Sequence, residues 1–136
     1  MSRTTALLLA CVALLVAGCG SSDDPASPGD DGSSLSANVQ PIFNASCTSS
    51  SCHGSGQSEG LDLRTGSSYG NLVNVSSTQV VSLMRVLPGD PDNSYLVQKL
   101  GASPAVGLQM PRGQNPLSSA EVNTIRDWIE DGALDD

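Results

Sequence analysis

Cys47 and Cys52 stand five positions apart, and His53, the only histidine in the chain, follows the second at once. Two thiols so close in sequence can each add across a vinyl group of a porphyrin, and an imidazole directly after the second can sit beneath its iron. The thioethers would hold the macrocycle covalently, so that even a small domain outside the cytoplasm keeps it. Four residues, Thr48 to Ser51, separate the cysteines where two are usual, and the extra length must bulge away from the ring. The same side chains admit other chemistry. In an oxidising compartment Cys47 and Cys52 can close a small disulfide loop with His53 beside it by chance. A structural zinc site needs four Cys or His ligands, and a processed chain offers only these three. A thioredoxin-like pair would want two intervening residues and a βαβ setting.

The amino terminus speaks to the compartment. Arg3 precedes an apolar run from Ala6 to Ala17 that is too short to span a bilayer and matches the core of a secretory signal. The run ends Leu15-Val16-Ala17-Gly18-Cys19, which resembles the lipobox of bacterial lipoproteins, where cleavage leaves Cys19 lipidated at the new amino terminus. Several acyl chains on one residue would anchor it stably. The alternative is ordinary signal cleavage near Ala17 and a free periplasmic protein. Residues 1–18 are thus read as a lipoprotein signal peptide, and residues 19–34 as the lipidated cysteine and a tether made almost wholly of Gly, Ser, Asp and Pro. Such a composition lacks the apolar surface that offsets ordering entropy. All four cysteines are then accounted for, with Cys11 inside the signal and none left for a structural disulfide. A cofactor would act as the staple. The expected location is the envelope of a bacterium, lipid-anchored and either facing the periplasm or on the outer membrane.

Loss of the signal removes Arg3 and leaves five basic residues against fourteen acidic ones, a formal charge of −9, about half of it on the domain once the tether acids are set aside. That balance argues against nucleic acid or anionic lipid as a partner and favours a protein with a basic docking face.

From Leu35 to Asp136 the chain is long enough for one domain. Phe43, Tyr69, Tyr95 and Trp128 are its only aromatics, a thin supply that a buried macrocycle would supplement. A first helix is predicted over Ser36 to Ser46, with Val39, Ile42 and Phe43 at helical spacing and Pro41 in its first turn. It leads straight into Cys47. The last helix is announced by Ser118 and Glu121 as a capping box, by the stripe Val122, Ile125, Ile129 flanked by Trp128, and by Gly132 as its C-cap. Between them, Gly89-Asp90-Pro91-Asp92 reads as a turn opening a short helix through Tyr95, Leu96 and Leu100, and another short helix is expected over Ser67 to Val73. No alternation signals a sheet. The fold class is therefore all-α, a small helical domain with long loops, and long loops in a compact domain usually wrap something.

If His53 takes one face of an iron, a low-spin carrier needs a second ligand, and no second histidine exists. Met84 and Met110 can supply a thioether. Met110 lies in Gly107-Leu108-Gln109-Met110-Pro111, a Gly- and Pro-marked loop before the last helix, and is preferred. Met84 lies in the apolar stretch Val80 to Leu87 and reads as core packing. Arg64, Arg85 and Arg112 are candidates for pairing haem propionates, with a solvated surface arginine as the plainer reading of each. Tyr95 and Trp128 are candidates for contact with the ring edge or for simple packing.

From Leu35 onward the chain resembles small monohaem cytochromes c of the class I kind, particularly planctomycete-type cytochrome c domains. The shared residues are Val39-Gln40-Pro41-Ile42-Phe43, the run from Cys47 to His53-Gly54, Gly89-Asp90-Pro91, Met110-Pro111 and the Trp128 helix. Wider cysteine spacings occur among these proteins. The resemblance implies three to five helices with the first and last crossing, Phe43 brought towards Trp128, one covalent haem c, and His53 and Met110 as its axial ligands. It further implies a monomeric electron carrier serving redox partner proteins. No catalytic residue is assigned, since no second titratable group accompanies His53 and two filled axial positions leave none for substrate. The rival readings are an envelope lipoprotein interaction module carrying a Cys47–Cys52 disulfide, and a sensory or peroxidatic haem protein in which Met110 is labile.

Overall fold

The computed structural model describes residues 32–136. The signal peptide, Cys19 and nearly all of the tether lie outside the described residues. The described part is helical, with no β-strand and only two isolated bridges, Val73 with Val86 and Ser76 with Met84. No helix within it is long and apolar enough to cross a membrane.

Ser34, the last residue that composition placed in the tether, belongs to the folded part. Its side chain accepts from the Ala37 amide at 3.2 Å, and its own amide donates to Asn38 Oδ1 at 2.9 Å. The chain then winds one wide π turn, Leu35–Val39, before tightening into α1, Gln40–Ser46. Pro41 has no N–H to give, and it is tolerated because it falls in the first turn of α1. Leu35, Val39, Ile42 and Phe43 are buried on one side of this segment, as their helical spacing predicts.

The next two helices are short: α2 spans Ser68–Leu72 and α3 spans Tyr95–Leu100. The second starts later than the sequence turn at Gly89 implies. Asp90 folds the turn on itself, its carboxylate accepting from the Asn93 amide at 3.1 Å and from Asn93 Nδ2 at 2.7 Å. Fully buried Ser94 then donates to the Asp90 carbonyl at 2.9 Å and accepts from the Leu87 amide at 2.9 Å. These local bonds use up the groups that a helix start at Asp90 would need.

The last helix, α4, spans Ser119–Glu130 and carries the complete capping box. Ser118 accepts from the Glu121 amide at 3.3 Å, while the Glu121 carboxylate takes the Ser118 amide at 2.8 Å and hydroxyl at 2.7 Å. Its other end is a Schellman motif: Ala133 N–H reaches Trp128 O at 2.8 Å and Gly132 N–H reaches Ile129 O at 3.1 Å. Gly132 supplies the left-handed backbone this requires, with φ of 103°. Trp128 is not a flank of the stripe but part of its buried centre, 1% exposed, with its indole N–H on Leu134 O at 2.9 Å. The helix packs against the π turn and against α3, and Phe43 and Trp128 belong to the same buried cluster. The Leu35 amide donates to Asp136 Oδ1 at 2.8 Å and the Ser36 amide to Asp136 O at 3.0 Å, so the two ends of the domain meet.

The stretch Val80 to Leu87 is a correction to the sequence reading. It is a loop rather than a core segment, with Val86 buried but Val81 79% and Met84 36% exposed. Its apolar residues are drawn one by one to whichever side the turns leave them, with no period to direct them inward.

The capping box yields a prediction. The two bonds from Ser118 hold the Glu121 carboxyl below its ordinary range. A depressed folded-state value contributes stability above the unfolded value, near 4, and loses it as the pH falls through the folded one. We predict that Ser118→Ala costs about 1 kcal/mol in urea unfolding at neutral pH. The deficit should narrow at strongly acid pH, and a deficit independent of pH would refute the carboxylate's share.

Candidate functional site

Buried Phe43 fixes the direction in which α1 delivers Cys47, and the Cys47 amide closes the helix on the Phe43 carbonyl at 2.8 Å. The chain then turns back. Cys52 N–H donates to Ser49 O at 2.9 Å, and His53 N–H donates to Cys47 O at 3.0 Å. This last bond joins the two ends of the cysteine loop. Cys47, Cys52 and His53 are half-buried, whereas Ser49, Ser50 and Ser51 are exposed. The additional residues of the wide spacing therefore project into solvent. Gly54 is buried, and a β-carbon there would collide with the Thr48 carbonyl oxygen and lie 2.9 Å from that of Ser49. Only glycine lets the chain pass beneath the loop.

His53 Nδ1 lies 3.1 Å from the Ser58 carbonyl oxygen. A carbonyl only accepts, so Nδ1 carries the proton and Nε2 keeps its lone pair for a ligand. Burial lowers the imidazole's pKa, outweighing the opposite pull of the Ser58 carbonyl, and the ring is neutral at pH 7. Ser58 sits between Gln57 at φ 46° and Glu59 at φ 58°. Left-handed backbone costs non-glycine residues roughly 1–2 kcal/mol each. Arg85 holds this turn in place, donating to the carbonyls of Glu59 at 3.0 Å, Gly60 at 3.2 Å and Asn71 at 2.9 Å.

Burial, with smaller contributions from Cys52 and Glu121, pushes the Cys47 thiol up to about 11. At neutral pH it has almost none of the thiolate that disulfide exchange or nucleophilic catalysis requires. Cys47 and Cys52 are both free thiols.

These groups face a cleft with a narrow inner slot of about 90 Å³ and a wider outer part of about 540 Å³. Cys47, His53 and Met110 line both parts, and Cys52 lines the outer one. The inner walls are Phe43, Leu63, Leu72, Leu100 and Ile125, all members of the domain's buried core. Met110 is half-buried, its amide on the Lys99 carbonyl at 2.8 Å. Met84 lines neither part, and its sulfur accepts from Ser76 Oγ at 3.8 Å on the surface. Tyr95 lines the slot and Trp128 does not. Arg64 is engaged with Asp62 at 2.6 Å, a pairing that holds the Asp62 carboxyl far below the usual carboxylate range. Arg85 reaches the slot from behind, and Arg112 is exposed on the rim of the outer part.

Sequence reasoning missed Lys99, which is 7% exposed and lines both parts of the cleft. The signal was present, since Lys99 lies one helical turn after Tyr95 and so shares its buried face. Leu61, Leu63 and Leu72 were missed as wall residues: Leu61 and Leu63 lie in a loop, and Leu72 ends α2, a helix too short for its spacing to mark a face.

Among the described residues no three His, Cys, Asp or Glu side chains converge as a metal-binding group. The donors on the cleft walls are of another kind: two thiols, an imidazole with Nε2 free and a thioether. Donors of these kinds could hold the vinyl groups and iron of a haem, whose ring would need the outer part of about 540 Å³ as well as the slot of about 90 Å³. No protein-family model matches this chain, and neither a curated protein nor a solved structure does.

The Gly54 contact is directly testable. We predict that Gly54→Ala overpacks the cysteine loop and costs about 1–3 kcal/mol in denaturant unfolding. A variant as stable as the parent would mean that the loop and Gly54 are not in contact.

Proposed function

We propose that this chain is a monohaem c-type cytochrome, lipid-anchored outside the cytoplasm, that passes single electrons between partner proteins. What supports it most directly is the placement of Cys47, His53 and Met110 around one cleft while Met84, the other candidate thioether, stands outside it. Cys47 and Cys52 are the attachment thiols, His53 Nε2 and Met110 Sδ the axial donors, and a haem bound there supplies reversible exchange between ferric and ferrous iron. The chain's own part is to hold and tune. Ser58 fixes the tautomer and plane of His53, which strengthens the imidazole as a donor. The thioether of Met110, a soft donor, favours the reduced state. The slot walls, continuous with the core, keep water from the inner face.

The cytochrome c-like fold belongs to the same proposal, supported by short helices bordering a cleft and by Phe43 and Trp128 in one core. Lipidation of Cys19 would place the domain at a bacterial envelope membrane. The acidic surface favours redox partners with a basic docking face, and no enzymatic turnover is assigned.

Two measurements test the proposal. Expressed with its signal in a host that makes c-type cytochromes, the protein should gain the mass of one haem and give a haem c pyridine spectrum that survives acid-acetone extraction. A colourless chain two hydrogens lighter than its free-thiol mass would overturn it. In the haem-loaded protein, Met110→Ala should abolish the sulfur-to-iron charge-transfer band of the ferric form and Met84→Ala should leave it intact. The reverse pattern would exchange the roles of the two methionines.

A further inference from the structure

The segment that carries Met110 has little else to hold it. Between residues 102 and 117, every hydrogen bond to the rest of the described chain ends on α3, at Tyr95 in its first turn or at Lys99 and Leu100 at its end. Lys99 contributes twice. Its ammonium donates to the Val106 carbonyl at 3.0 Å, and its own carbonyl accepts the Met110 amide at 2.8 Å. The two bonds grip the segment four residues apart. Beside them, Gln109 Nε2 donates to the Leu100 carbonyl at 2.8 Å. The approach is close enough that a β-carbon on Gly107 would lie 3.0 Å from Lys99 Nζ.

An ammonium is an expensive choice for such a place. Lys99 is buried and has no carboxylate within ion-pair distance among the described residues; its Nζ donates to one carbonyl, the Tyr95 ring lies 6.0 Å away, and Glu59, on the wall of the same cleft, acts on it only from beyond ion-pair distance. An apolar residue would fill the same volume without the cost of desolvating a charge. It could not bind the Val106 carbonyl.

We infer that Lys99 is a positioning residue which, with Gln109 as a second strut, clamps the 106–110 segment to the end of α3 and so keeps the Met110 sulfur in the cleft. The inference rests on the cytochrome reading and is separable from it. In a haem protein the clamp sets how readily the thioether leaves the iron. The Nζ–Val106 bond would therefore govern access of outside ligands as well as the strength of sulfur ligation.

The test uses the full chain with Lys99→Leu, which keeps an apolar stem, removes the donor and adds no second thioether beside the cleft. With haem content equal to the parent, the ferric charge-transfer band should weaken and added imidazole should bind at least tenfold more tightly. Lys99→Arg, which keeps a cationic donor, should recover part of both. A parental band and parental imidazole affinity in Lys99→Leu would overturn the clamp. Should that variant fail to accumulate, Gln109→Leu, a change at a half-buried side chain, is read by the same band and titration with the same outcomes. A parent chain without haem would refute the cytochrome reading. The clamp is then judged by limited proteolysis, where Gln109→Leu should speed tryptic cleavage after Arg112 by at least several-fold, and an unchanged rate would refute it.

Discussion

One buried guanidinium ties together the parts of this domain that helices do not. Arg85 donates to carbonyls of the Ser58–Gly60 turn and of α2, with no carboxylate within ion-pair distance among the described residues. Removing it would take a donor from three carbonyls, those of Glu59 and Gly60 on exposed residues and that of Asn71 on a half-buried one, and would release the turn from α2. The consequence reaches His53, because the turn that Arg85 steadies is the one whose carbonyl orients the imidazole. Among the described residues, with their four short α-helices and long connections, the backbone of the loops is organised by such side chains. Gln40 acts similarly, buried and donating to the Leu63 carbonyl at 2.8 Å while accepting from Ser68 at 2.6 Å.

Core and cleft are not separate regions. Phe43 and Ile125 bury themselves against the interior and also present atoms to the slot, so the helices that stabilise the domain also wall the site. This fits the scarcity of aromatics, since a few large residues serve two surfaces. The two buried cations sit at the same place, on a chain whose overall balance is strongly acidic. Burial lowers the pKa of both Arg85 and Lys99, and both are satisfied by backbone carbonyls. Beside the cleft these cations stand with one carboxylate, that of Glu59, so that the local balance differs from the acidic balance of the whole chain.

What could be read from the sequence follows from how local each signal is. The capping box of α4 and its glycine stop were legible because both lie within a few residues and obey backbone chemistry alone. The first helix was legible from its spacing, although its π opening was not, since a wide turn leaves no compositional trace. The pairing of Cys47 with His53 was contained in the motif itself. That Met110 and not Met84 would line their cleft was favoured by the loop composition around it, while Met84's exposure contradicts the inference from local hydropathy. An apolar run without a period says nothing of direction. The Arg85 and Lys99 contacts were illegible because their partners are carbonyls, which every residue possesses, and the partner of Arg85 lies as far as 26 residues away.

The His53–Cys47 bond has a consequence for how such a loop can change. It closes the loop at its base and sends the side chains of Ser49 to Ser51 outward. The backbone of the tip is nonetheless engaged, since Ser49 O accepts from the Cys52 and Gly54 amides and the Ser50 carbonyl passes close over Gly56. Side chains at the tip are therefore free to vary, while a change in its length must rebuild these backbone contacts. The number of residues between the cysteines is thus tied to the two glycines that follow them, and kinship between sites of this type is better judged on both together.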